Sequence, residues 1–262
     1  MSNHYDIDIP SMKDAVSDAE WETRLDLAAL YRAAAHAGFQ DVTLNHLTAR
    51  VPDAPDHFLI KPTELMFEEV TASSLLCFDL DDRPVYDQAL NKSPASFNLH
   101  GTLLKARTYV NCIMHLHSDA GAAVSAQKKG FLFISQDAMR FWNKIATHTY
   151  EGLVHGEGLE ECKQLIDDMG DKTVLMLHNH GTLVVGRTIG EAFLLNHFLE
   201  RAMTIQIGAL AGGGEIIQPS DDVCAKIAEG WIENRPNPGI AGARDWNAIR
   251  RQMDRLYPNY RT

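Results

Sequence analysis

The sequence predicts an α/β domain of layered architecture, and three observations carry that prediction. Segments of strand character alternate with segments of helical period along the whole chain. Gly and Pro punctuate the boundaries between them. With 262 residues, 45% of them hydrophobic, the chain suits one large domain or two small ones, with ample apolar material for a core.

In order along the chain, residues 1–17 read as a polar arm. From Ala19 to Ala37 the apolar positions Trp21, Leu25, Ala28, Ala29 and Ala35 suit an amphipathic helix, which Gly38 closes. Short extended pieces follow at Leu47–Val51, Phe58–Ile60 and Leu75–Asp79, separated by Pro52, Pro55 and Pro62. Ser93–Pro94 supplies an N-cap and a first helical residue for a helix reaching about Ala106. A strand around Cys112–Ser118 then leads into a helix. Gly158–Met169 is a further amphipathic helix. A strand from Val174 passes through Gly181 and Val184–Val185 into a long helix, about Ile189 to Leu210, which Gly212–Gly213–Gly214 ends. The tail carries Trp231, Trp246, Tyr257 and Tyr260, with a helix expected at Asp245–Leu256. There is no internal repeat and no low-complexity segment.

Composition narrows the function classes. Lys and Arg total 24 against 35 Asp and Glu, a net charge of -11. An acidic surface argues against general nucleic-acid or anionic-membrane binding, though not against an anionic small substrate in a local basic pocket. No apolar run approaches the ~20 residues of a spanning helix, and Met1–Pro10 has no signal-peptide pattern. The expected location is cytoplasmic. Cys77, Cys112, Cys162 and Cys224 are scattered without zinc-finger or redox spacing, which argues against a disulfide framework; Cys112 reads as a buried thiol.

The chemistry concentrates in two words. Cys112–Ile113–Met114–His115–Leu116–His117–Ser118 places two histidines two residues apart at the end of an apolar strand. Val174–Leu175–Met176–Leu177–His178–Asn179–His180–Gly181 does the same downstream. Alternate side chains of a strand share a face, so each His-x-His pair projects to one side. Two such edges brought together offer three or four imidazoles to one volume. Imidazole is the commonest side-chain ligand for zinc, iron and related divalent ions. Strand ends are also where α/β folds place their sites. The pattern therefore points to a metal centre; the bland alternative is four core or surface histidines.

The words flanking these histidines sharpen the reading. "SPASFNLHGTLLKARTYVNCIMHLHSDAGAAVSAQ", "HTYEG", "LMLHNHGTLVVGRTIGEAFLLNHFLERA", "LNHLTARVP" and "LIKPTELMFEEVTASSLLCFDLD" together resemble the class II aldolase/adducin family over roughly residues 20–215. The resemblance implies a three-layer α/β/α domain around a central mixed, largely antiparallel sheet. Its boundaries would be a polar arm over 1–17, the domain over 18–215, and an extension over 216–262 packing on the domain or on a neighbouring subunit. It implies a homotetramer with active sites at subunit interfaces and a small-molecule substrate. The metal ligands it implies are His115, His117 and His180, holding one divalent ion per subunit: zinc first, with manganese or iron as alternatives. His178 is left as a fourth ligand, a proton-transfer group or a satisfied polar residue.

The chain also departs from the family pattern. Family aldolases carry a proton-transferring glutamate four residues before the histidine that matches His100; here that position is Ser96. A hydroxyl cannot replace a carboxylate as base near neutrality. The usual phosphate-binding turn has become Pro62–Thr63–Glu64, and a carboxylate at Glu64 would repel phosphate unless Lys61 offsets it. The serine pair of the family is reduced to Ser93. Expected substrate-binding residues are thus Asn45, Lys61, Thr63, Ser93 and Ser96, and candidates for the lost base are Glu64, His178 and Tyr150. His100 is read as anchoring its helix, and His46 as bonding a turn. Three function readings follow: a metal-dependent lyase that decarboxylates or retro-aldol-cleaves a small hydroxy- or keto-acid through a stabilised enolate, a non-haem iron oxygenase, and a non-catalytic adducin-like module.

Overall fold

In a computed structural model of the chain, residues 9–87, 90–91, 97–149, 159–233 and 242–262 are described. The first helix, α1 (Asp18–His36), begins where the Ser17 hydroxyl accepts from the Glu20 N–H. It ends before Gly38, whose φ of 77° suits glycine. Three strands follow, β1 (His46–Val51), β2 (Ala54–Ile60) and β3 (Leu76–Asp79), and then helix α2 (Thr102–Ala106), entered through a π-helical turn over Phe97–Gly101. Strand β4 (Cys112–Leu116) runs into α3 (Asp119–Ser125), capped by the Ser118 hydroxyl. Next come α4 (Gln136–Met139), β5 (Ile145–His148), α5 (Leu159–Met169), β6 (Val174–Leu177) and β7 (Gly181–Gly186). The chain finishes with α6 (Ile189–Ala211), α7 (Asp221–Glu233) and α8 (Ala243–Leu256). No described helix is long and apolar enough to cross a membrane.

The seven strands form one sheet in the order β3-β2-β1-β4-β7-β6-β5. Every pairing is antiparallel except β5 with β6, so the sheet is mixed and largely antiparallel. Two apolar cores flank it. Cys112, Met114 and Leu116 of β4 join Leu47, Ala49 and Val184 beneath α1, α6 and α8. Ile113 points the other way, with Leu175, Leu183 and Val185, toward Leu103 and Leu104 of α2 and Leu165 of α5. The period-two alternation of each strand thus builds the three layers directly. The Tyr31 hydroxyl of α1 accepts from the Leu47 and Lys61 N–H groups and donates to the Leu47 carbonyl, fixing the helix to β1 and the end of β2.

The strand pieces, the 189–210 helix and the 245–256 helix fall where the sequence places them. Short β5 and helix α7 carry no expectation. Strand β5 is defined by its parallel pairing with β6, a partner invisible to local pattern; α7 did have a readable signal, in Val223, Ile227 and Trp231 at four-residue spacing behind Asp221–Asp222. The predicted start of the 93–106 helix lies outside the described residues; its end at Ala106 is observed. Within this chain Trp246 and Met253 of α8 enter the core under α1. Asp26 of α1 accepts from Trp246 Nε1 at 3.0 Å and from Arg250 at 2.6 Å. The last residues pair with the loop before β3, Ala72 N–H donating to the Tyr260 carbonyl and Ser73 N–H to that of Thr262.

One expectation is corrected. The second His-x-His word is not a strand: β6 stops at Leu177 and the chain reverses through His178–Asn179–His180 into β7. Asn179 takes φ 57°, in the left-handed region that asparagine tolerates. The turn closes with His180 N–H on the Leu177 carbonyl. Alternation therefore does not hold across it, and His178 and His180 do not share a strand face.

Candidate metal centre

His115 is the fourth residue of β4 and shares the face of Ile113. His117 lies just past the strand end. Its backbone N–H donates to the Asn45 side-chain oxygen at 3.0 Å, while the Asn45 NH2 donates to the Phe39 carbonyl at 2.9 Å. His180 arrives through the β6–β7 turn. It comes close because Gly181 has no side chain: a Cβ there would overlap the Leu116 carbonyl oxygen.

The three imidazoles converge through their Nε2 atoms. His117 Nε2 is 3.1 Å and His180 Nε2 is 3.2 Å from His115 Nε2. His115 Nδ1 lies 3.0 Å from the Thr182 carbonyl, and His117 Nδ1 lies 3.0 Å from Asp41 Oδ2. Both acceptors lack a proton, so each Nδ1 carries the ring hydrogen and donates it, which leaves both Nε2 atoms bare in the neutral rings. Two bare lone pairs 3.1 Å apart repel unless a cation lies between them. Burial drives the His115 imidazole well below its ordinary pKa, and neighbouring His46, His117 and His180 drive it further. Burial, then His117, brings His180 down to about 4. The His115 and His180 rings are thus neutral near pH 7, as metal ligation requires. Three converging imidazoles, two of them with oriented Nδ1–H groups, fit a divalent ion such as zinc. Among the described residues this trio alone forms a group of three or more His, Cys, Asp or Glu fit to hold one.

The other expected residues are distributed as follows. His178 lies outside the trio; its backbone N–H donates to the His148 carbonyl. Asn45 is buried and fixes the backbone of His117, a positioning task that sequence assigned to substrate. Lys61 is buried as well. Its ammonium donates to the Thr43, Pro62 and Leu65 carbonyls, which uses all three N–H groups and leaves none for an anion. Burial lowers its pKa to about 8. The Thr63 hydroxyl donates to the Asn91 carbonyl at 3.0 Å. Glu64 accepts from the Asn91 side-chain amide at 3.0 Å. Partial burial pushes the Glu64 carboxyl up, but hydrogen bonds, that from the Asn91 side chain foremost, outweigh it and hold the group below the usual carboxylate range, weakening it as a base. Ser93, Ser96 and Tyr150 lie outside the described residues.

One arrangement escaped the sequence reading. His46 of β1 sits directly across from His115 of β4 in the strand register, with ring centroids 5.2 Å apart. His46 Nδ1 is 2.9 Å from His100 Nε2, and His100 Nδ1 is 2.9 Å from the Thr48 hydroxyl. All three side chains are buried. His46 bonds the helical turn of His100, rather than a loop turn. The spacing His46-x-Thr48 was a readable signal for a shared face; the contribution of His100, more than fifty residues away, was not. A buried acid lies nearby: the Ser118 hydroxyl, immediately after His117, donates to Glu200 Oε1 at 2.7 Å.

Comparison with known proteins agrees with this geometry. Residues 25–207 match the family described as "Class II Aldolase and Adducin N-terminal domain". A Caulobacter vibrioides protein provisionally named a class 2 aldolase is 40% identical over 255 residues, covering 95% of this chain and 96% of that one. The crystal structure of an aldolase II superfamily protein from Pseudomonas syringae is similar with a TM-score of 0.88 and 40% identity, over 97% of this chain and 100% of the other. Alpha-adducin of Rattus norvegicus is 37% identical over 253 residues, which is 91% of this chain and 34% of adducin.

Proposed function

Because the chain belongs to the class II aldolase/adducin family, we propose that it is a metal-dependent carbon–carbon lyase acting on a small, non-phosphorylated hydroxy- or keto-acid, with decarboxylation favoured over aldol cleavage. The observation that carries this is the convergence of the His115, His117 and His180 Nε2 atoms within 3.1–3.2 Å of the His115 nitrogen. These residues would hold zinc, or manganese or iron in its place, and the ion when bound supplies Lewis-acid stabilisation of negative charge developing on a substrate oxygen.

The chain's own residues favour decarboxylation. Loss of carbon dioxide leaves the bonding electron pair on the substrate and requires no prior proton removal. Retro-aldol cleavage begins with removal of a hydroxyl proton, and the family's residue for that step is Ser96 here. The ionised Glu64 carboxyl and the fully engaged Lys61 ammonium offer no phosphate subsite at the 61–64 turn. Asn45 and Asp41 hold His117 in place, and Thr182 holds His115. We expect the protein to assemble as a homotetramer, which light scattering of the purified protein will test.

The test of the reaction is carbon dioxide release from a panel of 3-oxo and 2-oxo acids before and after chelator treatment. The expected result is loss on chelation and recovery with added zinc; full turnover by metal-free protein would overturn the proposal. The similarity to alpha-adducin favours a second reading, a non-catalytic binding module. A purified protein carrying far less than one metal per chain, with no turnover on the panel, would select it.

A further inference from the structure

The buried chain Thr48–His100–His46 has a direction. Thr48 is fully buried, and among the described residues its hydroxyl has one partner, His100 Nδ1. A hydroxyl hydrogen left without an acceptor in such a place keeps the full cost of its lost hydration. If His100 Nδ1 carried the ring proton, the Thr48 hydrogen would have no acceptor. The hydroxyl therefore donates to Nδ1, and the His100 proton sits on Nε2. That N–H has its acceptor 2.9 Å away in His46 Nδ1. His46 Nδ1 is thus bare, and the proton of the neutral ring is on its Nε2. No described residue bonds that Nε2.

From this polarity we infer that His46 presents an Nε2–H donor to an oxygen of the substrate held at the metal centre, with Thr48 and His100 as the positioning residues that set its tautomer. The inference rests on the metal-centre reading of the preceding subsection. The His46 ring stands 5.2 Å from that of His115, opposite it across β1 and β4. A nitrogen that carries a hydrogen has no lone pair to give a metal, so His46 is a donor beside the trio, not its fourth member. The reversed chain would give the opposite outcome, a bare Nε2 suited to ligation. The ligand class that uses both features is a small carboxylate with an adjacent oxo or hydroxyl oxygen. One oxygen would go to the ion and its neighbour would accept from His46.

Two measurements test this. Neutron diffraction from deuterium-exchanged crystals of the zinc-loaded protein is expected to show a deuteron on His46 Nε2 and none on Nδ1; the reverse pattern overturns the inference. Calorimetry with pyruvate as probe, on zinc-loaded protein, is expected to give an affinity at least about tenfold weaker for His46→Phe and near wild type for His46→Gln, whose amide can donate. Zinc should remain at one per chain in both variants. Loss of zinc would identify His46 as a ligand and overturn the inference, as would an unchanged affinity in folded His46→Phe. The same neutron maps are expected to show the Thr48 deuteron directed at His100 Nδ1 and the His100 deuteron on Nε2; a deuteron on His100 Nδ1 would show that Thr48 sets nothing. Should the wild type bind zinc and pyruvate yet cleave no acid, the lyase reading fails while the donor role stands.

Discussion

The Nδ1 of His117 lies 3.0 Å from Oδ2 of Asp41. The carboxylate accepts the ring hydrogen, fixes the tautomer and turns the bare Nε2 toward His115. Outer partners of this kind typically account for 10- to 100-fold in metal affinity. Asp41→Ala is therefore expected to weaken zinc binding by about that factor with little change in fold. Competition against a chromophoric chelator, alongside circular dichroism, measures both. Wild-type zinc affinity in a folded variant would refute the orienting role.

The β6–β7 turn separates His178 from His180. His180→Ala should lose bound metal, whereas His178→Ala should keep one ion per chain, since His178 lies outside the converging trio. Elemental analysis after dialysis distinguishes the two. Equal loss in both variants would restore His178 as a ligand.

Gly181 carries the closest backbone approach in the centre. A methyl group there would overlap the Leu116 carbonyl, with the His117 Cα 3.2 Å away. Backbone cannot yield as a side-chain tip does, so Gly181→Ala is expected to cost at least about 2 kcal/mol and to disturb metal binding. Denaturant unfolding of the metal-free protein isolates the stability term; a shift under about 0.5 kcal/mol would contradict the packing argument.

Burial raises the Glu200 carboxyl from the ordinary 4.5 to about 7, against the opposing hydrogen bond from Ser118. The folded state holds this proton where the unfolded state has released it. Stability from the group is thus complete below pH 4.5, falls as pH rises toward 7, and is flat beyond. The full change is about 3 kcal/mol. Glu200→Gln is uncharged at every pH and still accepts from Ser118. It should match wild type near pH 4.5 and exceed it above pH 7. Unfolding curves at intervals across this range give the difference, and a difference independent of pH would remove Glu200 as its source.

Local pattern reached far into this protein. Proline punctuation marked the extended pieces of β1, β2 and β3, and the apolar run ending in His115 and His117 marked β4. Capping residues and glycines set the ends of α1 and α6. His115 and His117 were legible because both belong to one strand end, where neighbouring residues fix direction. Tertiary structure decided the rest. His180 joins them by a reversal at Asn179, which alternation cannot express. Lys61 looks like an anion-binding cation in sequence, but the distant Thr43 carbonyl joins those of Pro62 and Leu65 in enclosing it. The polarity of Thr48, His100 and His46 exists only because β1 and the turn before α2 are brought together across the sheet. Local pattern marked most of the elements, though not β5, and the residues able to bind a metal, since propensity and side-chain chemistry act locally. Which of those residues meet, and which atom of each carries the proton, depended on pairings between distant segments, where burial leaves one hydrogen-bond arrangement satisfied.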